Sequence, residues 1–144
     1  MLDNETKFII FAHHQIVMDA LEGHLMAKLS CAQAKKDRLS YMRIDGSTPA
    51  LKRSENVKTY QEDDSCRIAL LSITAACLGL TLTAATAVIF AEAHWTPALM
   101  LQAEDRAHRI GQTAACVNIY YLFGEGTLDE ILFPMILFKS IIIS

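Results

Sequence analysis

Positive charge is scarce in this sequence. Its 13 lysines and arginines are outnumbered by 16 aspartates and glutamates, so the formal net charge is −3. A free-standing nucleic-acid-binding domain usually carries a broad basic patch, and this balance disfavours one. Only local contacts by loops are compatible with nucleic-acid binding here.

Signatures of zinc sites and disulfide frameworks are also missing. The four cysteines form no Cys-x-x-Cys pair, and no His/Cys spacing is typical of a zinc site. We therefore expect no metal site. We expect reduced, mostly buried thiols in a cytosolic or nuclear protein, at positions Cys31, Cys66, Cys77 and Cys116.

Two further absences concern membranes and nucleotides. No apolar run reaches the roughly 18 to 20 residues of a membrane span, so we expect no membrane partner. The Gly-x-x-x-x-Gly-Lys-Ser/Thr loop that cradles phosphates is absent, and so is an Asp-Glu-x-His box. The chain therefore has no ATP-binding loop of its own.

Short apolar segments that alternate with helical patterns dominate what is present. Hydrophobic residues make up 52% of the chain, which suits a sheet buried on both faces. The alternation predicts one α/β domain over residues 1–144, with a mostly parallel sheet, helices on both faces and an apolar tail from about residue 131. The strands are predicted at 7–12, 41–44, 67–71, 87–91 and 117–123, and the helices within 15–39, at 49–60, from 97 and from 127.

The stretch Gln102–Gln112 reads Gln-Ala-Glu-Asp-Arg-Ala-His-Arg-Ile-Gly-Gln. It lies on a helix predicted to start at Pro97, a residue that suits the first helical turn. Gln102, Arg106 and Arg109 fall at i, i+4 and i+7 and so share one face. Guanidinium groups are poor core material without partners, but their rigid fork of donors suits phosphate oxygens.

Polar side chains follow several of the predicted strands. His13 and His14 follow the first strand, Ser47 lies in the turn after the second, and Ser72 and Thr74 follow the third. The carboxyl ends of parallel strands meet at the edge where α/β sheets place ligands. Hydroxyls and the free amides of a helix start can hold phosphates there, and ordinary capping and turn formation is the alternative interpretation.

These motifs carry a family resemblance. Gln-x-x-x-Arg-x-x-Arg-x-Gly-Gln resembles the last motif of superfamily 2 helicases in the form used by Swi/Snf-type DNA translocases, and the longer string resembles the annealing-helicase branch. Phe8–His14, Arg43–Thr48 and Leu71–Leu82 resemble further motifs in family order. Much of the family has an extra Gly where this chain has Ala76-Cys77-Leu78. Trp95, an aromatic residue that also follows the family, is expected to pack rather than to stack on a base.

The resemblance implies the second RecA-like lobe of a DNA-dependent ATPase. ATP and Mg²⁺ would be held mainly by a first lobe that is missing here. Arg106 and Arg109 would be arginine fingers, Gln102 would orient them or the attacking water, and Gly79 would allow close approach to the nucleotide. The resemblance also implies a nuclear protein, possible forked DNA as substrate, and contacts to the DNA backbone by His13, His14, Ser47, Ser72 and Thr74.

The missing first lobe leaves two functions open. In one, this chain completes a motor and hydrolyses no ATP at a useful rate alone. In the other, it is a truncated, non-enzymatic lobe that docks on a protein through its apolar tail, Ile131–Ser144, or competes with a full-length motor. A DEAD-box RNA helicase is disfavoured, because its final motif carries glycines where this chain has Glu104-Asp105 and Ala107-His108.

Overall fold

The computed structural model describes residues 6–30, 39–107 and 116–143. Within them the chain forms five strands, four α-helices and one 3₁₀-helix, in βαβ order. The elements are β1 (Phe8–Ala12), α1 (Gln15–Leu29), β2 (Ser40–Ile44), α2 (Ala50–Glu62), β3 (Cys66–Ser72), the 3₁₀-helix (Ile73–Leu78), β4 (Ala87–Phe90), α3 (Pro97–Ala107), β5 (Asn118–Tyr121) and α4 (Asp129–Ile143).

The strands form one parallel sheet in the order β2-β3-β1-β4-β5. The connection from β1 to β2 crosses the sheet in one direction, and every later connection runs in the other. Crossovers between parallel strands are right-handed, so this reversal puts α1 on one face and α2 and α3 on the opposite face. The predicted fold class, a single RecA-like α/β lobe, is confirmed.

The core consists of two layers, one on each face of the sheet. Alternate residues of the central strand β1 point into different layers, and all five are buried. Phe8 and Ile10 pack with α1, through Met18. The other layer joins Ile9 and Phe11 to apolar residues of the remaining helices, which are Tyr60, Met100, Ala103, Leu132 and Ile136.

The sequence predicts that Thr48 caps α2 and that Thr127 and Glu130 form a capping box at α4, and both helix starts differ in detail from these predictions. Pro49, not Thr48, is the N-cap of α2, because the Thr48 hydroxyl accepts a hydrogen bond from the Asp45 amide at 3.0 Å instead of capping the helix. At α4, Thr127 Oγ1 accepts from the Asp129 amide at 3.3 Å, while Glu130 accepts from the Gly126 amide at 2.8 Å. The predicted capping box therefore satisfies two amides, but the glutamate reaches one residue further back than expected.

Lys7 secures the end of α2. Its ammonium group donates to the carbonyl oxygens of Tyr60 at 2.6 Å and Asp63 at 2.8 Å, and it lies 5.5 Å from the centre of the Tyr60 ring. A cation at a helix C-terminus stabilises carbonyl groups that lack intrahelical partners. The Tyr60 hydroxyl is buried and has no hydrogen-bond partner among the described residues.

The last helix, α4, is apolar on more than the face that packs. Leu132 and Ile136, four residues apart, enter the core. Ile131, Met135 and Phe138 are exposed, Phe138 by 67%. Among the described residues no helix is long and apolar enough to cross a membrane. Up to Phe138, the tail predicted from residue 131 thus has one buried and one uncovered apolar side on a helix.

Candidate functional site

The candidate site lies at the carboxyl edge of the sheet, around the end of β1. The chain leaves β1 towards α1 on one face, whereas it leaves the neighbouring strands β3 and β4 towards the other face. Such a reversal opens a crevice at the strand ends, and α/β proteins bind ligands there. The polar residues that follow β1, β3 and β4 therefore meet at one edge.

Glu92, two residues after β4, binds the turn that follows β1. Its Oε2 accepts hydrogen bonds from the backbone amides of His13 at 2.7 Å and His14 at 2.9 Å, and its Oε1 lies 2.7 Å from Nδ1 of His14. Burial would raise the pKa of Glu92, but these hydrogen bonds outweigh it and hold the pKa below its ordinary value. Glu92 is therefore an ionised carboxylate that orders both histidines.

A third histidine joins this group. The ring of His94 lies edge-on to His13, with ring centroids 4.7 Å apart, and its Nδ1 accepts the Thr96 amide at 3.1 Å. Burial and the neighbouring His13 lower the pKa of His94. Within the described part of the chain, no group of three or more His, Cys, Asp or Glu side chains is arranged to hold a metal ion.

The prediction that Trp95 packs is wrong. Trp95 follows His94 and is 56% exposed. The aromatic patterning could not show this, because exposure depends on how the segment between β4 and α3 leaves the sheet. Polar residues follow β4 in the sequence as they follow β1, and this pattern could have indicated that the segment after β4 belongs to the site.

The turn after β2 is held by Asp45. Its Oδ1 accepts from the Ser47 hydroxyl at 2.6 Å and from the Ser47 amide at 3.0 Å. Mainly through the Ser47 hydroxyl, and with help from Arg43, the pKa of Asp45 is lowered to about 2. Both donors of Ser47 are thus engaged with Asp45, while the first amides of α2 follow a Pro49 cap that offers no side-chain hydrogen bond.

Arg43 ties this turn to α1. Its guanidinium donates to Asp19 at 2.7 Å, to Asp45 at 3.2 Å and to Glu22. Burial would lower the pKa of Arg43, but the hydrogen bonds to Asp19 and Glu22 raise it above its ordinary value. Glu22 also accepts from the Tyr41 hydroxyl at 2.9 Å, so β2 and α1 share one polar network.

The segment after β3 is a 3₁₀-helix with a cap at each end. Ser72 is buried, and its Oγ accepts the Ala75 amide at 3.2 Å and lies 3.0 Å from the hydroxyl of Thr74, which is exposed. Gly79 ends the helix at φ 76°, a left-handed conformation that favours glycine. Gly79 lines an open groove with Arg53, whose Nε is buried and unpaired among the described residues.

The helix that carries the arginine motif packs against this 3₁₀-helix. The amide of Leu82 donates to the carbonyl oxygen of Arg106 at 3.0 Å. Arg106 is partly buried, and its Nε has no hydrogen-bond partner among the described residues, whereas Gln102 is exposed. Arg109 and Gly111, the glycine predicted to end this helix, lie outside the described residues.

Taken together, a parallel α/β lobe with polar strand ends and an adjacent arginine helix defines the class of RecA-like motor lobes. The model of the helicase conserved C-terminal domain matches residues 1–111, and the chain belongs to this family. The C-terminal part of the Fun30 ATPase domain has the same fold, with a TM-score of 0.81 and 31% identity over 93% of this chain and 40% of that one.

The relatives among curated proteins include a Swi/Snf-related regulator of chromatin and a DNA annealing helicase. The SWI/SNF-related matrix-associated actin-dependent regulator of chromatin subfamily A-like protein 1 of Xenopus laevis is 45% identical over 130 residues, which is 90% of this chain and 12% of that protein. The DNA annealing helicase and endonuclease ZRANB3 of Homo sapiens is 45% identical over 138 residues, 94% of this chain and 12% of that protein. The chain thus spans about an eighth of the length of these relatives.

Proposed function

We propose that this chain is the second motor lobe of a Swi/Snf-type, DNA-dependent ATPase that remodels or reanneals DNA. The observation that carries the proposal is the contact between the arginine helix α3 and the segment after β3, closed by the Leu82–Arg106 backbone hydrogen bond. If Arg106 binds phosphate and the segment after β3 binds DNA, this contact joins the two sites. A coupled motor needs these two functions to be joined.

Arg106 fits the γ-phosphate of an ATP held by a first lobe. Its Nε is removed from water and unpaired within the described residues, and an anion would compensate such a group. Arg106 and Arg109 would stabilise charge on the transferred phosphoryl group, and Gln102 would orient them or the attacking water. ATP and Mg²⁺ would be held mainly by the first lobe, because this chain lacks the phosphate-binding loop. Gly79 would let backbone approach the ligand.

The DNA backbone would run along the carboxyl edge. Thr74 and the two exposed histidines offer side chains, and the uncapped start of α2 offers amides. Ser72 would act through Thr74, and Ser47 would contact a phosphate only when a donor is released from Asp45. Backbone contacts carry little sequence preference. The relatives named as chromatin regulators and as an annealing helicase support a nuclear protein and forked DNA as a substrate.

The decisive experiment restores a first lobe. The chain is joined to the first lobe of a Swi/Snf-type relative, and DNA-stimulated ATP hydrolysis is measured for the parent, Arg106→Ala and the control Arg67→Ala, which lies at the opposite edge at the start of β3. We expect Arg106→Ala to lose about 10³-fold or more in kcat and Arg67→Ala to retain activity. Equal activity of the two variants contradicts the assignment. Comparing forked with plain duplex DNA as activator then separates fork remodelling from chromatin remodelling.

A second candidate function is a non-enzymatic binding module, and the uncovered side of α4 favours it. Ile131 and Phe138 are exposed on a helix whose opposite side packs through Leu132 and Ile136. If this side docks on a protein, Ile131→Glu with Phe138→Glu abolishes capture by an isolated first lobe, while Arg106→Ala leaves capture unchanged. An ATPase that needs Arg106 after lobe restoration favours the motor instead.

A further inference from the structure

The pairing of Glu92 with His14 has a consequence for the hydrogen that the histidine ring carries. An ionised carboxylate can only accept hydrogen bonds, so the 2.7 Å contact between Oε1 of Glu92 and Nδ1 of His14 requires the proton to be on Nδ1. Carboxylates fix histidine tautomers in this way at many functional sites. In the neutral ring, Nε2 then carries a lone pair and no proton.

The His14 ring is open to solvent, whereas the carboxylate that holds it is largely covered. The His14 side chain is 66% exposed, whereas that of Glu92 is 19% exposed. The amides of His13 and His14 both donate to Oε2 of Glu92, so a rotation of the Glu92 side chain away from His14 would break both hydrogen bonds. With Nδ1 bound to Glu92, Nε2 of His14 is an acceptor when the ring is neutral and a donor only when the ring is protonated.

We propose that Glu92 is a positioning residue that makes His14 a proton-dependent phosphate contact, able to donate to a DNA phosphate only as an imidazolium. This inference rests on the proposed DNA-backbone contact of His14 and adds to it a condition. The lone pair of the neutral ring repels a phosphate oxygen, and the ionised Glu92 adds like charge nearby. Protonation reverses the first effect and offsets the second.

The groups around His14 come from four segments. Glu92 and His94 belong to the segment after β4, and His13 lies edge-on to the His14 ring, with centroids 4.6 Å apart. On α1 and the β2–α2 turn, Asp19 and Asp45 are linked to the site through hydrogen bonds with Gln15. Several of these groups could contribute to a change of DNA binding with pH. The test therefore uses substitutions of Glu92 and His14 to isolate the effect of this pair.

Glu92→Gln changes the tautomer of His14 while keeping the hydrogen bonds that hold the turn. The amide oxygen of glutamine can still accept the two backbone amides, while its NH₂ group donates to Nδ1 and so moves the ring proton to Nε2. Nε2 of His14 then becomes a donor at every pH. We expect Glu92→Gln to bind duplex DNA at pH 8 about as tightly as the parent chain does at pH 6. The two pH values lie on either side of the ordinary pKa of histidine side chains.

The experiment measures the anisotropy of a labelled duplex oligonucleotide with the full 144-residue chain at low salt. The parent, Glu92→Gln, His14→Phe and the double variant form a cycle at pH 6 and pH 8, and Glu62→Gln removes the same charge at the far end of α2. We expect the parent to bind roughly 3- to 10-fold more tightly at pH 6. The gain from Glu92→Gln should disappear in the His14→Phe background and be absent in Glu62→Gln.

The outcomes distinguish this inference from the proposed function. A parent chain that binds no DNA, or binds equally well with Phe at position 14, overturns the DNA contact and the inference together. Binding that needs His14 but gains equally from Glu92→Gln in both backgrounds overturns only the role of Glu92. A ring nitrogen NMR measurement gives an independent test: Nδ1–H in the parent and Nε2–H in Glu92→Gln support the inference, and Nε2–H in the parent at pH 8 refutes it.

Discussion

The backbone amide of Leu82 donates to the carbonyl oxygen of Arg106 at 3.0 Å, which joins the segment after the 3₁₀-helix to the last described turn of the arginine helix. A backbone bond transmits position without depending on either side chain. Under the proposed function, movement of Arg106 towards a nucleotide would shift the segment that also holds Thr74 and Gly79. Nucleotide chemistry at one end of this unit would then be mechanically joined to DNA contact at the other.

Thr74→Val should weaken DNA stimulation while leaving basal ATP hydrolysis unchanged in the two-lobed protein. The substitution keeps the shape and removes the exposed hydroxyl, and we expect stimulation to fall roughly 3- to 10-fold at a fixed DNA concentration. Thr59→Val, on α2, is the matched control. Equal stimulation of the parent and Thr74→Val would remove Thr74 from the DNA site.

Gly79→Ala should cost about 1 to 2 kcal/mol of unfolding free energy, because an alanine at φ 76° adopts a strained left-handed conformation. No atom lies within 4 Å of the added Cβ, so the cost is conformational rather than steric. Gly46→Ala is the matched control, since Gly46 has equal space and no positive φ. Urea unfolding of the two variants measures the difference, and equal stabilities would contradict the strain.

Lys7→Met should destabilise the fold by about 1 to 3 kcal/mol, because the carbonyl oxygens of Tyr60 and Asp63 lose their donor. Lys52→Met, at an exposed position paired only with Glu55 at 3.5 Å, should change stability by less than about 0.5 kcal/mol. Thermal unfolding measured on both variants gives the comparison. A Lys7→Met variant as stable as the parent would show that solvent satisfies this helix end.

Asp45 should make the fold sensitive to acid. Its folded pKa of about 2 lies below the ordinary value of 3.8, so the unfolded chain binds more protons between these values. The contribution of Asp45 is complete above about pH 4 and is lost as the pH falls towards 2. We expect Asp45→Asn to be less stable by about 1 kcal/mol at pH 7, after allowance for solvent screening.

Urea unfolding between pH 7 and pH 3 tests this prediction. The stability difference between the parent and Asp45→Asn should narrow steadily below pH 4, because the parent loses its advantage as Asp45 gains a proton. A difference that stays constant with pH would mean that the turn depends on the shape of the side chain and not on its charge.

The elements were predictable because their signals are local. Apolar runs located all five strands, and each predicted strand end lies within two residues of the observed end. Pro97 marked the start of α3 correctly. The sheet order was not predictable, since it depends on lateral pairing that no short pattern encodes. The same holds for the bond between Glu92 and the amides of His13 and His14, residues 79 and 78 positions away.

The candidate site was predictable only in part for a related reason. Strand ends identified His13, His14 and Thr74 as edge residues, and the structure places them there. The sequence could not show that Ser72 is buried as a cap, that the amide and hydroxyl of Ser47 both donate to Asp45, or that Trp95 is exposed. Each of these depends on which neighbour a side chain meets after folding.

The first turn of α1 has no side-chain cap of its own, and Oε2 of Glu92, in a distant segment, accepts from the amides of His13 and His14, which come just before the helix. A cap of this kind cannot form until β4 has paired with β1. We therefore expect the start of α1 to become ordered late in folding, after the centre of the sheet has assembled. Protection of the His13 and His14 amides from hydrogen exchange would report the completion of the sheet, even though both residues come directly after its first strand.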